Sequence, residues 1–165
     1  MRFHGKLYRA LNPRYARDPL SGRGAELYGG RFNPKGVPAI YTALSIITAV
    51  REANQVGALQ PTTLVSYEAN IEKVFDTRDA EALASFATDA ATLADPGWRN
   101  RMIADGKAPT QKFAEALVKA GFHGMLVQSF ARGATGDDLN LILWTWGSSA
   151  PASLVLIDDE GRLDF

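Results

Sequence analysis

Apolar residues recur along this chain with two different periods, and the periods divide it into elements. From Thr110 onward they fall at helical spacing: Phe113, Ala114, Leu117 and Ala120 share one face, and Gly121 is a natural stop. A second helical pattern follows Thr42, a suitable N-cap, with Ala43, Ile46, Ile47, Val50 and Ala53 as the stripe expected to face the core. Ser45, Thr48 and Glu52 form a polar stripe on another side of that helix. Such a stripe fits the wall of a cleft or a solvated face, and spacing alone favours the solvated face. Gly57 and Pro61 mark the end of the helix.

Strand-like runs occupy residues 6–10, 37–41, 62–71, 125–130, 139–146 and 153–157. Residues 79–93 are alanine-rich, with Leu83, Phe86 and Leu93, and read as one or two helices. Residues 98–104 follow Pro96-Gly97 as another short helix, and 107–109 as a turn. Asn12, Pro13, Asp18, Pro19, Ser21, Gly22 and Gly24 make 12–24 a long loop of the kind that often carries function. A polar loop spans 132–138. No repeat or linker is visible, so one α+β domain covers residues 1–165.

A chain of 165 residues, 46% hydrophobic and 22% charged, can bury a real core. Lys+Arg and Asp+Glu number 18 each, which argues against a protein whose main task is to hold nucleic acid. The absence of cysteine removes disulfides, thiol nucleophiles and Cys-ligated metals, and is compatible with a cytoplasmic protein. His4 and His123 lack ligand spacing, so no metal site is expected. The first nine residues lack the apolar core of a signal peptide. No apolar run approaches the ~18 residues of a membrane helix.

The most unusual chemistry lies between Tyr28 and Glu52. Gly29 and Gly30 allow rare backbone conformations or the close approach of a ligand. Arg31 offers a fork of donors suited to phosphate. Tyr41 ends an apolar strand, and Glu52 lies on the helix beyond. An anion binder, an aromatic face and a carboxylate suit a nucleotide with a reactive sugar. The Gly22-Arg23-Gly24 pair lacks a third glycine and a surrounding βαβ unit, so a Rossmann site is not expected.

Leu20-Ser21-Gly22, Gly24-Ala25, Gly30-Arg31-Phe32-Asn33, Ala39-Ile40-Tyr41 and Ala49-Val50-Arg51-Glu52 resemble, in order, motifs of the RES-domain family. So do Gly121-Phe122, Gly124, Gln128-Ser129 and Leu139-Asn140-Leu141. The arginine, glutamate and serine of the family name would be Arg31, Glu52 and Ser129. The resemblance implies a fold like diphtheria-toxin-like ADP-ribosyltransferases, with a split, mainly antiparallel sheet and flanking helices.

It also implies a toxin that consumes NAD⁺ as substrate, not as a retained cofactor, and that is paired with an Xre-like helix-turn-helix antitoxin carrying the DNA contacts. The look is nearest to the ParT-like branch, which passes ADP-ribose to a protein acceptor, a phosphoribosyl pyrophosphate synthetase. Other members use phosphate or water and deplete NAD⁺. A non-catalytic nucleotide-binding module is the reading from another class.

By this resemblance Glu52 would stabilise the oxocarbenium-like ribose, and Arg31 with Gly30 would bind the pyrophosphate or the nicotinamide ribose. Tyr41 would stack on nicotinamide or hydrogen-bond the ribose, and Tyr28 would form a second stacking wall. Ser129 would orient a carboxylate or a ribose hydroxyl, with Arg9 and Asn140 as further contacts.

Overall fold

The structure, a computed structural model, describes residues 1–55 and 57–163. Its frame is a seven-stranded sheet made of two blocks. In one, β1 (Phe3–Leu11) and β3 (Thr63–Ile71) pair antiparallel from Phe3↔Ile71 to Leu11↔Thr63, and β7 (Ala152–Leu156) joins the far side of β3. In the other, β2 (Ile40–Ala43), β6 (Leu139–Leu143) and β5 (Gly124–Gln128) run antiparallel, and β4 (Val74–Asp76) lies parallel to β5.

The blocks meet at one paired position, Tyr8↔Ala43. Pro38 precedes β2 and a helix begins shortly after it, so only its last residue reaches β1. The α+β class and the split, mainly antiparallel sheet therefore stand.

Side chains alternate across β5 and β6 and feed two cores. Met125, Val127 and Ile142 face one cluster with Phe75, Phe113 and Leu117, while Leu126, Leu141 and Leu143 face another with Leu7, Tyr67 and Leu154. Phe75 centres the first, with Phe86, Phe113 and Phe122 edge-on at 5.4, 5.7 and 5.3 Å.

The helices are α1 (Arg23–Tyr28), α2 (Ile46–Ala53), α3 (Ala80–Ser85), α4 (Ala90–Leu93), α5 (Trp98–Asp105) and α6 (Pro109–Lys119). No helix among the described residues is long and apolar enough to cross a membrane.

Several sequence expectations change. Thr42 is not an N-cap; it belongs to β2, where its hydroxyl donates to the Leu141 carbonyl at 2.7 Å. Ser45 caps α2 instead, accepting from the Thr48 amide at 3.1 Å. Ala43 likewise belongs to the strand. Ile46 and Ile47, expected in the core, are 49% and 60% exposed, and the buried positions of α2 are Thr48 and Ala49.

Ala120 is exposed because α6 ends just before it; Gly121, at φ 87°, turns the chain away. Two elements lacked a pattern long enough to read: α1 inside the glycine-rich segment, and the three residues of β4.

Candidate active site

The segment from Gly29 to Asn33 is the best-fixed part of the site. Gly29, at φ 74°, ends α1 with its amide on the Ala25 carbonyl. Gly30 and Asn33 then exchange backbone hydrogen bonds at 2.9 and 3.3 Å, leaving Arg31 and Phe32 at the tip of a tight turn. Phe32 is buried, and its carbonyl accepts from the Trp144 indole at 2.8 Å.

Asn33 is fully buried. Its amide nitrogen donates to the Ala25 and Val37 carbonyls at 2.8 and 2.9 Å, and its oxygen accepts from the Tyr41 hydroxyl at 2.6 Å. Gln111, buried on α6, donates to the Gly30 and Asn33 carbonyls at 2.9 and 3.2 Å. Satisfied buried polar networks of this kind specify one conformation, since any broken member leaves another unpaired.

This network changes the roles of two residues. A Cβ on Gly30 would collide with the Tyr41 hydroxyl and with Asn33, so the glycine makes room for protein packing as well as for any ligand. The Tyr41 hydroxyl donates to Asn33 and accepts from the Phe32 amide at 3.1 Å. Burial, first among the causes, holds its pKa well above the usual tyrosine value. The hydroxyl is committed to the turn, which leaves the ring to meet a ligand.

Facing this turn is a carboxylate set by three side-chain donors. Glu52, in the last turn of α2, accepts from the Ser129 hydroxyl and, at 2.7 Å, from the Asn140 amide through Oε1. It accepts from Gln55 at 2.9 Å through Oε2. Ser129 follows β5, and Asn140 stands on β6 opposite Ala43, on the same sheet face as Tyr41. Because Glu52 takes the NH₂ side of Asn140, the amide oxygen points elsewhere, and it is buried without a partner.

One turn earlier, the Thr48 hydroxyl donates to Asp138 at 2.9 Å and Arg51 meets the same carboxylate at 3.2 Å. Asp138 also accepts from the Thr135 amide at 2.7 Å, and its backbone carbonyl accepts from the Ser129 amide at 2.8 Å. The helix, the 132–138 loop and Ser129 are thereby tied together.

Arg31, Tyr41, Glu52 and Asn140 line a cleft of about 590 Å³, within the usual size of small-molecule sites. Trp98 and Arg99 of α5 and Phe130 form further wall. The Arg31 guanidinium lies 4.8 Å from the Phe130 ring and 5.9 Å from that of Trp98. Its Nη1 donates to the Leu93 and Asp95 carbonyls at 3.1 and 2.9 Å. Desolvation pulls its pKa below the ordinary arginine value, opposed by Glu52, Asp95 and Tyr41 in turn.

Of the residues singled out from sequence, Gly30, Arg31, Tyr41, Glu52, Ser129 and Asn140 come together here. Arg9 and Tyr28 do not. Tyr8 pairs with Ala43 and so shares the face of Tyr41; its neighbour Arg9 takes the other face and donates to the Pro19 and Ser21 carbonyls at 3.2 and 3.4 Å. Tyr28 is exposed on α1, and both line a separate recess of about 740 Å³.

Sequence reasoning missed Gln55, Trp98, Arg99, Phe130 and Asp138. Gln55 had a signal, its place three residues after Glu52. The others reach the site only through tertiary packing. Among the described residues no group of three or more His, Asp or Glu is placed to hold a metal ion.

Residues 6–165 match the family model described as RES domain, which covers nearly the whole chain. A stretch of 46 residues is 48% identical to a protein named Toxin Res from Photorhabdus laumondii and 50% identical to one of the same name from Yersinia enterocolitica. That stretch is 28% of this chain and 30% of each relative's length. In three dimensions the chain resembles one in the solved M. tuberculosis MbcT-MbcA toxin-antitoxin complex. The TM-score is 0.63 at 22% identity, over 96% of this chain and 84% of the other. At that identity the likeness establishes the fold. The family match establishes membership: the chain belongs to the RES domain family.

Proposed function

We propose that this RES-domain chain is a toxin that cleaves NAD⁺ at the nicotinamide–ribose bond and transfers ADP-ribose to a protein acceptor. We propose further that it is held inactive by an Xre-like helix-turn-helix antitoxin. Family membership, relatives named as toxins and a fold shared with a chain of a toxin-antitoxin complex support the biological half of this reading. The observation that carries the chemical half is the Glu52 carboxylate, fixed by Ser129, Asn140 and Gln55 in a cleft that also holds Tyr41 and Arg31.

In NAD⁺ the leaving group is already a cation. As the C–N bond breaks, its electron pair stays with nicotinamide, which becomes neutral, and positive charge develops on the ribose. A fixed negative charge beside that sugar lowers the barrier. Three neutral donors hold Glu52 in place without neutralising it, so the charge needs no reorganisation as the reaction proceeds. The acceptor oxygen then bonds to the ribose carbon and releases its proton to solvent water. The unpartnered Asn140 oxygen is suited to accept from a ribose hydroxyl or the nicotinamide amide. The Tyr41 ring supplies a flat apolar surface for nicotinamide.

The test is incubation with NAD⁺, with and without phosphate, cell extract or a phosphoribosyl pyrophosphate synthetase, followed by mass analysis of products. Nicotinamide release with ADP-ribose on a protein is expected. Free or phosphorylated ADP-ribose alone would move the acceptor to water or phosphate. No nicotinamide release from folded protein would overturn the enzymatic reading.

A further inference from the structure

The cleft contains Arg31 and Arg99, and the fold treats them differently. Arg31 is held from inside. Its Nη1 is committed to the Leu93 and Asp95 carbonyls, and its plane lies near both Phe130 and Trp98. The bonds reach 62 and 64 residues along the chain, so they fasten the turn that carries Arg31 to the segment entering α5. Arg99 stands on that helix, exposed, with its guanidinium 5.1 Å from the Trp98 ring.

Among the described residues Arg99 has no acceptor for its guanidinium besides that ring. Asp95, the acid close by in sequence, is engaged by Arg101 at 3.1 Å and by the Gly97 amide at 2.8 Å. Glu52, the acid of the cleft, is already bound by its three donors.

We propose that Arg99 is the residue that receives the diphosphate of the substrate, and that Arg31 is a positioning residue that pins Trp98 and the start of α5 so that Arg99 faces the cleft. The proposal rests on the NAD⁺ reading above. A guanidinium with every donor available can take two phosphate oxygens as a fork, and none of its bonds within the protein must first be broken. Trp98 orients Arg99 through its ring face while leaving those donors free. Arg31 can offer an anion only what its two carbonyl bonds leave over.

The experiment measures binding of NAD⁺ and of ADP-ribose, which both carry the diphosphate, and inhibition by nicotinamide, which carries none. Arg99→Gln should weaken both diphosphate ligands about ten- to hundredfold, the range of charge-assisted hydrogen bonds, while the inhibition constant of nicotinamide holds. Arg99→Lys should recover part of the loss, because the charge returns without the fork.

Arg31→Met donates to neither the Leu93 nor the Asp95 carbonyl, so Arg99→Gln made on that background should cost much less than on wild type. Equal weakening of nicotinamide would mean a displaced wall and would overturn the diphosphate assignment, as would unchanged NAD⁺ binding. Additive effects of the two substitutions would overturn the positioning role of Arg31. Wild-type protein that binds neither NAD⁺ nor ADP-ribose would instead refute the NAD⁺ reading itself.

Discussion

Helices α2 and α6 carry similar amphipathic patterns, and the fold uses them in opposite ways. α6 turns Phe113, Ala114 and Leu117 into the core, as its spacing predicts. α2 turns Thr48 inward beside Ala49 and sets Ile46 and Ile47 toward solvent. The difference lies in what each helix meets. The inner face of α6 meets Phe75 and its apolar neighbours. That of α2 meets Asp138, Asn140 and Ser129, which pair with the polar stripe that spacing alone assigned to solvent. Leaving an Ile exposed forgoes about 1.5–3 kcal/mol of burial. A helix that does so while burying a threonine and anchoring a carboxylate is organised around a site.

The comparison separates stability from activity, and substitution on each helix tests it. Leu117, fully buried on α6, should lower the unfolding free energy by about 2–5 kcal/mol when replaced by Ala. Denaturant titration reads this, and the remaining folded protein should keep its turnover. Glu52→Gln on α2 should do the reverse. Nicotinamide release in a single turnover should fall about 10²–10³-fold, while NAD⁺ binding and the melting temperature stay near wild type. Wild-type release by folded Glu52→Gln would sink the catalytic assignment.

The same contrast explains how much was legible in the chain. Where burial follows local apolar spacing, as at Phe113 and Leu117, the sequence predicts the packing. Ordered motifs were enough to bring Arg31, Tyr41, Glu52, Ser129 and Asn140 together. They could not give the orientation of α2, because the partners that turn its polar stripe inward lie 77 to 90 residues further along. Nor could they reveal that the Tyr41 hydroxyl belongs to Asn33, or that Arg9 faces away, which depends on the Tyr8↔Ala43 register. Trp98 and Arg99 lie on a helix with no buried residue, so no core pattern drew attention to them.

A smaller effect should appear in the pH dependence of stability. The Thr135 amide, then the Thr48 hydroxyl, hold the Asp138 carboxyl below its ordinary pKa, with Arg51 adding to them. A depressed folded pKa contributes stability that is complete above the unfolded value, about 3.9, and is lost as pH falls through the folded one. Asp138→Asn should therefore be less stable than wild type at neutral pH, and the gap should close as pH drops below about 4. A gap that stays constant from neutral pH to pH 3 would mean that the charge of Asp138 does not tie the loop to α2.

The smallest effect is the most direct test of the inverted helix. Had Ile47 faced the core, as its spacing suggests, Ile47→Lys would bury a charge and unfold the protein. In the structure Ile47 is 60% exposed, so the substitution removes only partial apolar contact and places a long polar side chain where water already reaches. The unfolding free energy should change by no more than about 0.5 kcal/mol, the ordinary range for surface positions. Nicotinamide release should be unchanged, because the Ser45–Thr48–Asp138 chain that holds the other side of the helix is untouched. Chemical denaturation of Ile47→Lys beside Thr48→Val completes the pair. Thr48→Val keeps the buried volume but leaves Asp138 short of a donor, so it should be the more damaging of the two although it is the more conservative by size. If Ile47→Lys proves the worse, α2 turns Ile47 and not Thr48 to the core, and Glu52 is rotated with it.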